Sequence, residues 1–243
     1  MKKWMIAAAL VSLAVSAQAA EKIRFATSAT YPPFESLNSD NQIVGFDIDL
    51  AKALCEQMKA ECSFTNTAFD SLIPSLKFRR YDAVIAGMDI TAERSKQVDF
   101  TQPYYANSAI VIAPKGKFTA IDALKGKRIG VENGTTHQKY LQDKHPEINV
   151  VAYDSYQNAI LDMKSGRLDG VFGDSAVVNQ WLKTNNDLAS VGEHVTDPAY
   201  FGTGLGIAVR KGNAPLRDKF NQALAALKAN GSWQKINQKW FPE

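Results

Sequence analysis

The sequence predicts an α/β fold in which most strands run parallel. Short strand-like runs alternate with helical runs along nearly the whole chain, and this alternation is typical of α/β units. The clearest helix begins near Asp47. Its apolar face recurs at helical spacing and comprises Ile48, Leu50, Ala51, Leu54, Cys55 and Met58. No low-complexity linker interrupts the chain, so two lobes would have to be joined by short strand-like crossings.

The individual elements follow in a regular order. The first strand covers residues 23–27 and ends at a proline-containing turn over residues 30–33. Further strands are expected at residues 83–86, 109–112, 128–131, 170–172 and 205–209. Helices are expected between them at about residues 70–77, 136–143, 155–164 and 175–184. A helical tail over residues 214–240 is interrupted at Asn230-Gly231, a pair that commonly ends a helix.

Residues 1–19 have the pattern of a cleaved export signal. Lys2 and Lys3 precede an apolar run over residues 4–17, and Ala17-Gln18-Ala19 supplies the small residues that a signal peptidase accepts. The run is shorter than the about 20 apolar residues that a membrane-spanning helix needs. We therefore expect an exported, soluble protein that begins at Ala20.

The charge balance argues against a nucleic-acid-binding protein. The chain has 28 basic and 25 acidic residues, and two of the basic ones belong to the expected signal. A nucleic-acid-binding protein would need a clustered basic face. The one short basic cluster, residues 77–80, is typical of the solvated end of a helix, with contact to an anionic lipid or partner as the alternative.

The two cysteines predict a disulfide. Cys55 and Cys62 lie seven residues apart in an exported chain, and such a pair usually forms a disulfide in an oxidising compartment. Neither cysteine has a CxxC partner, and the three histidines are not spaced as ligands, so the sequence indicates no metal site. No other cofactor is indicated.

Three strand ends carry residues that suit ligand binding. Tyr31 follows the first strand in the stiff turn TYPPF, where open α/β sheets bind ligands; a turn aromatic that covers the core is the alternative. Thr136 lies at a helix start after Gly134, where free N–H groups favour an anion, and the lack of a P-loop pattern favours a carboxylate. Asp174 is either a helix cap or the counter-ion of an ammonium group. The neighbouring Ser175 would need a nearby base to act as a nucleophile.

Two other motifs have ordinary structural explanations. Asp47 and Asp49 in GFDIDL would be a catalytic pair or, more simply, carboxylates that cap a helix and suit its dipole. The glycine-rich stretch at residues 202–206 precedes a strand instead of opening a helix, so it is not a dinucleotide loop. The stretch AGMDITAER, residues 86–94, is less easily explained, since it places a glycine, a carboxylate and an arginine close together.

Taken together, these motifs resemble the periplasmic polar amino acid-binding proteins of ABC importers, which are bacterial solute-binding proteins of family 3, and among them the arginine-binding proteins of the Art type. The likeness spans residues 23–241 and is carried by TYPPF, GFDIDLAKALC, AFDSLIPSLK, DIT with Arg94, NGTTHQKY, GRLDGVFGD and YFGTGLGIAVRKG. It implies a two-lobed fold in which two α/β lobes, joined by two crossing strands, close over one amino acid. Lobe 1 would comprise residues 20–106 and 201–243, and lobe 2 residues 107–200 with the hinge crossings.

The resemblance implies how the amino acid backbone is bound. Arg94 would hold the α-carboxylate in a forked, charge-assisted bond, aided by N–H groups near Gly87 and Thr136, with Ala86 in the same loop. Asp174 and Asp89 would hold the α-ammonium group from opposite lobes.

It also implies how the side chain is selected. The side chain would lie between the rings of Tyr31 and Phe69, which suit a guanidinium. Ser28 stands where related proteins carry an aspartate that helps bind lysine and ornithine, and Glu132 would supply counter-charge from lobe 2. Loss of a point carboxylate affects a compact ammonium more than a stacked guanidinium, so L-arginine is expected ahead of lysine, ornithine, histidine and glutamine.

The expected partners are L-arginine and a membrane permease with its ATPase. The protein would work in the periplasm as a monomer, without a cofactor or nucleic acid. An exported dehydratase of the same fold, acting on prephenate or arogenate, is the enzymatic alternative, with Glu132 as its one candidate general acid. A structural or signalling module that binds no small molecule tightly is the third possibility.

Overall fold

The structure is a computed structural model, and it describes residues 20–242. The expected export signal, residues 1–19, lies outside the described residues. Within residues 20–242, no helix has both the length and the apolar character needed to span a membrane.

The described chain forms thirteen strands and nine α-helices. The strands are β1 (Glu21–Thr27), β2 (Thr30–Tyr31), β3 (Glu35–Leu37), β4 (Ile43–Val44), β5 (Ala60–Asn66), β6 (Ala83–Val84), β7 (Val98–Phe100), β8 (Ala109–Pro114), β9 (Arg128–Glu132), β10 (Asn149–Tyr153), β11 (Gly170–Asp174), β12 (Leu188–Val195) and β13 (Ala208–Arg210). The helices are α1 (Phe46–Gln57), α2 (Leu72–Lys77), α3 (Ala92–Ser95), α4 (Thr136–Lys144), α5 (Tyr156–Lys164), α6 (Ser175–Thr184), α7 (Pro198–Phe201), α8 (Ala214–Ala229) and α9 (Ser232–Trp240). Short 3-10 turns cover Phe69–Ser71 and Ile121–Leu124.

Two five-stranded sheets organise the molecule. The first has the order β5-β1-β6-β13-β7 and the second the order β10-β9-β11-β8-β12, with a small third sheet of β2, β3 and β4. We call the unit around the first sheet lobe 1 and the unit around the second sheet lobe 2. Helices α1, α8 and α9 pack together on lobe 1, and α4, α5 and α6 pack on the strands of lobe 2. The α/β fold class expected from the sequence is confirmed.

The expectation of mainly parallel strands is only half right. In lobe 1, β1 runs parallel to β5 and β6, whereas β13 runs antiparallel to β6 and β7. In lobe 2, β9 runs parallel to β10 and β11, whereas β8 runs antiparallel to β11 and β12. The reversed strands β8 and β13 are the ones by which the chain enters each sheet from the other lobe. A strand that arrives by such a crossing lacks the βαβ connection that makes neighbours parallel.

The start of α1 corrects one sequence-based interpretation. Asp47 is not a helix cap: its Oδ2 accepts hydrogen bonds from the Gly87 N–H and the Tyr104 hydroxyl, both at 2.8 Å. The cap position is occupied by Gly45, which has φ 142° and no side chain to cap with. A Cβ on Gly45 would lie 2.0 Å from the carbonyl oxygen of Phe34, so only glycine fits there. Asp47 instead fixes the loop after β6.

The expected disulfide is confirmed. Cys55 near the end of α1 and Cys62 in β5 are bonded, with their Cα atoms 6.2 Å apart. The bond ties the main helix of lobe 1 to an edge strand of its sheet.

The carboxyl-terminal residues pack against aromatic side chains of lobe 1 and reach lobe 2. The ring of Phe241 lies 5.0–5.4 Å from those of Phe34, Phe46 and Tyr105. The Lys183 ammonium on α6 donates to the carbonyl oxygen of Pro242 at 3.2 Å. The tail of lobe 1 therefore also touches lobe 2.

Candidate functional site

The carboxyl ends of β1, β6, β9 and β11 meet around one cavity between the two sheets. Nine of the ten predicted site residues line it: Ser28, Tyr31, Phe69, Gly87, Asp89, Arg94, Glu132, Thr136 and Asp174. The tenth, Ala86, is fully buried beside them and is absent from the described lining. Lobe 1 supplies the first six of these residues and lobe 2 the last three. The position agrees with the rule that open α/β sheets bind ligands at strand carboxyl ends.

Arg94 links the two lobes directly. The hydroxyl of Thr91 accepts from the Arg94 N–H and so caps α3, which fixes where the arginine side chain starts. Its Nη1 donates to the carbonyl oxygen of Asp89 at 3.1 Å and its Nη2 to that of Gly134 in lobe 2 at 3.3 Å. The guanidinium carbon lies 5.4 Å from the centre of the Phe69 ring. A guanidinium has five N–H donors, so the group can serve these carbonyls and still bind a carboxylate.

Two buried carboxylates face each other across the cavity, one from each lobe. Asp89 accepts from the Thr136 hydroxyl at 2.6 Å, and Asp174 accepts from the Tyr31 hydroxyl at 2.8 Å. The amide of Asn107 donates to both carboxylates, at 2.7 Å each. Asp174 occupies the cap position of α6 but makes no side-chain cap bond, so its carboxylate belongs to the cavity. These hydrogen bonds fix the orientation of both carboxylates.

His137 completes the surroundings of Asp174. Its Nε2 lies 3.0 Å from Asp174 Oδ1, as a close polar contact without hydrogen-bond geometry. Its Nδ1 is 3.0 Å from the Tyr156 hydroxyl. The Tyr156 ring in turn stacks on the Tyr31 ring, with centres 5.0 Å apart. Aromatic side chains from both lobes therefore line this side of the cavity.

Acidic side chains outnumber lysine and arginine side chains in the cavity. Among the described residues that line it, Glu35, Asp89, Glu132 and Asp174 are acidic and Arg94 is the single lysine or arginine. Burial, together with the charge of Asp174, raises the pKa of Asp89 to about 6. Burial, followed by the charges of nearby aspartates, raises the pKa of Glu132 to about 8. A bound cation would favour the ionised form of each of these groups.

Four lining residues were missed by the sequence analysis: Glu35, Thr135, His137 and Tyr156. Glu35 is the most informative of them because it is fully buried and both of its carboxyl oxygens lack a donor. Burial and the neighbouring Asp47 raise the pKa of Glu35 well above its ordinary value. The one available signal was its position next to TYPPF, and a lone acid there gives no indication that it points inward.

A base does lie near Ser175. Nδ1 of His194 is 2.9 Å from the Ser175 Oγ and 3.1 Å from the Ser108 Oγ. His194 is exposed, and neither Ser175 nor His194 belongs to the described lining of the cavity. The cluster is therefore separate from the candidate site.

Comparison with known proteins identifies the family of this chain. Residues 23–243 match the bacterial extracellular solute-binding proteins, family 3. The chain belongs to this family. The family assignment agrees with the resemblance found in the sequence motifs.

Individual relatives extend the comparison. The ABC transporter arginine-binding protein 1 of Escherichia coli K12 is 69% identical over 243 residues, which cover 100% of both chains. The solved structure of a Salmonella typhimurium periplasmic binding protein described as highly arginine-specific is 56% identical, with a TM-score of 0.88, and covers 91% of this chain and 100% of that one. An ancestral amino acid-binding protein, described as a precursor of cyclohexadienyl dehydratase, is 31% identical with a TM-score of 0.83 and covers 90% and 95% of the two chains. The family member described here thus has the two-lobed fold of solved binding proteins.

Proposed function

We propose that this protein binds L-arginine in the periplasm and delivers it to the membrane permease of an ABC importer. The observation that carries the proposal is the charge of the cavity, where four carboxyl groups surround a single guanidinium. A neutral zwitterion would need only one group of each sign. An amino acid with a cationic side chain adds one positive charge and so reduces the excess of acidic groups.

The two ends of the amino acid backbone would be held by different groups. Arg94 and the first N–H groups of α4, beside Thr136, bind the α-carboxylate. Asp89 and Asp174 bind the α-ammonium group. The loop N–H groups near Gly87, held by Asp47, add donors on the lobe 1 side.

The arginine side chain would extend past Tyr31 and Phe69 toward Glu132. Glu132 Oε1 is buried without a donor, so a guanidinium would satisfy it. Ser28 adds a small polar group at the same end and no charge. Arginine is therefore preferred to lysine and ornithine, whose compact ammonium depends more on a point carboxylate. The arginine specificity described for the relatives supports this order.

Ligand capture would use a hinge between the lobes. We propose lobe boundaries at residues 20–106 with 201–243 and at 107–200, with the chain crossing near residues 107–113 and 200–206. Support comes from contacts that bridge the lobes, such as Arg94 to Gly134 and Tyr31 to Asp174. A ligand that touches both lobes would hold the closed form.

One observation favours a second candidate, a dehydratase. The pKa of Glu132 at about 8 keeps this carboxyl protonated at neutral pH, as a general acid requires. The same raised pKa of Glu132 also follows from its burial beside aspartates in a cavity that binds a cation. Turnover of prephenate or arogenate by the purified protein would favour the enzyme, and its absence would favour transport.

Calorimetry on refolded, ligand-free protein tests the proposed function. The mature chain, beginning at Ala20, is titrated with each of the twenty amino acids. We expect one arginine per protein and the highest affinity in the panel. No heat with arginine, or tighter binding of an uncharged amino acid, would contradict the proposal.

A further inference from the structure

Asn107 occupies a special place in the chain. It immediately precedes Ser108 and β8, on the segment by which the chain passes from β7 of lobe 1 to lobe 2. A residue on a crossing is displaced least when two lobes rotate about it, since it lies near the axis of the motion.

The side chain of Asn107 has a defined orientation. Its Oδ1 accepts the backbone N–H of Ser108 at 2.9 Å. Its Nδ2 donates to Asp89 Oδ1 and to Asp174 Oδ1, both at 2.7 Å. A flipped amide would turn an oxygen toward two carboxylates, so the hydrogen-bond network admits one arrangement.

Each N–H donor of the Asn107 amide has its own carboxylate partner. A primary amide has two N–H donors, and each serves the carboxylate of a different lobe. Asp89 and Asp174 repel each other inside a buried space, and a donor shared between them lowers that cost. Thr136 and Tyr31 serve one carboxylate each, whereas Asn107 serves both.

We propose that Asn107 is a positioning residue that holds Asp89 and Asp174 at the spacing an α-ammonium group requires. The inference rests on the proposed function, in which these two carboxylates bind the ammonium. Because Asn107 lies on the crossing, it connects the ammonium site to the segment about which the lobes close. Its effect applies to every amino acid ligand, since all share the α-ammonium group.

Removal of the amide also changes how binding depends on pH. Without the donors, the Asp89 carboxylate becomes harder to ionise, so it takes up a proton at a higher pH. An ammonium ligand needs this carboxylate ionised. The charged or titratable groups that face this pair are Arg94 from α3, His137 from α4, Tyr156 from α5, Asp47 from α1, Tyr31 from β2, Glu35 from β3, Glu132 from β9 and Tyr105 from the segment before β8. All of them remain in a variant at position 107.

The test compares two asparagines that both link the lobes. Asn107→Leu removes the shared donors at nearly constant size, and Asn107→Ala is a second variant in case leucine disturbs folding. Asn133→Ala is the matched control. The Asn133 amide donates across the lobes to Asp70 at 2.8 Å and not to Asp89 or Asp174. Arginine and glutamine affinities are measured by calorimetry at pH 6 and pH 8, with the melting temperature as a check on folding.

We expect the Asn107 variants to bind both ligands about 10- to 100-fold more weakly at pH 8, as for a lost hydrogen bond to a charged group. The loss should be larger at pH 6. Asn133→Ala should weaken ligand binding by only a small factor, and this factor should be the same at pH 6 and at pH 8. Affinities of the Asn107 variants within threefold of the parent, or an equal loss at both pH values, would overturn the inference while leaving the proposed function intact. A parent protein that binds no amino acid would overturn both.

Discussion

Replacement of Arg94 by alanine is the substitution whose effect the site geometry predicts in most detail. The residue is 8% exposed, and its side chain contacts both lobes through the carbonyl oxygens of Asp89 and Gly134. In the proposed complex its remaining donors form a forked bond with the α-carboxylate of the ligand. Every α-amino acid carries that carboxylate, so Arg94→Ala should weaken all of them by the same factor.

The magnitude follows from the burial of this group. A hydrogen bond to a charged partner contributes about 1.5–3 kcal/mol, and a forked bond comprises two of them. Loss of one partner of a buried charge pair costs about 2–5 kcal/mol, which corresponds to roughly 30- to several thousand-fold in affinity. The substitution also removes a positive charge that lowers the pKa of Asp89, so that carboxylate is more readily protonated in the variant.

Calorimetric titration of parent and variant with arginine, lysine and glutamine measures this loss. Arg128→Ala is a suitable control, because Arg128 lies on the surface of lobe 2 with its side chain 50% exposed beside Asp169. The control should bind like the parent. If Arg94→Ala binds arginine within threefold of the parent, the assignment of the carboxylate site is wrong.

Three further predictions concern the side-chain pocket and the buried acids. Phe69→Ala should weaken the binding of arginine more than that of glutamine, and the difference should correspond to about 0.5–2 kcal/mol of stacking. An equal loss of affinity for both ligands in calorimetry would argue against stacking. In the parent, arginine affinity should rise from pH 7 to pH 9 as Glu132, with its pKa of about 8, becomes ionised. Glu132→Gln should remove this rise, because Asp89, with its pKa of about 6, is already mostly ionised at pH 7 in both proteins; parallel profiles would count against Glu132 as the counter-charge. Glu35 has a folded-state pKa above its unfolded value, so its stabilising contribution is full at low pH and is lost as the pH rises. Urea denaturation measures the free energy of unfolding of Glu35→Gln and of the parent. The variant should gain stability relative to the parent between pH 5 and pH 8, by at most about 1.4 kcal/mol per pH unit. A difference that stays constant with pH would refute the raised pKa of Glu35.

The strands that the sequence analysis found and missed differ in a physical way. The six that it predicted, β1, β6, β8, β9, β11 and β13, lie inside the two sheets, although β13 begins later than expected. The four that it missed in these sheets, β5, β7, β10 and β12, are their edge strands. A central strand is covered on both faces and appears as an apolar run. An edge strand such as β5, with the sequence AECSFTN and no fully buried residue, carries no such run.

The errors at individual residues have a different origin. Asp47 looked like a helix cap because it lies near a helix start, but its partners Gly87 and Tyr104 are 40 and 57 positions away in the chain. Only the folded chain shows that Glu35 approaches Asp47 or that Asn107 reaches two carboxylates. Family resemblance indicated residues that the structure brings together around one cavity, since it supplies such long-range information. Local periodicity does not.

A crystal structure of the protein grown with L-arginine tests the central claim most directly. The quantity to measure is the set of distances from the ligand to Arg94, Asp89 and Asp174. The account predicts one arginine between the lobes, with its α-carboxylate within about 3 Å of the Arg94 guanidinium and its α-ammonium within about 3 Å of both aspartates. An arginine bound outside the cavity, or bound with its guanidinium against Asp89 and Asp174, would contradict it.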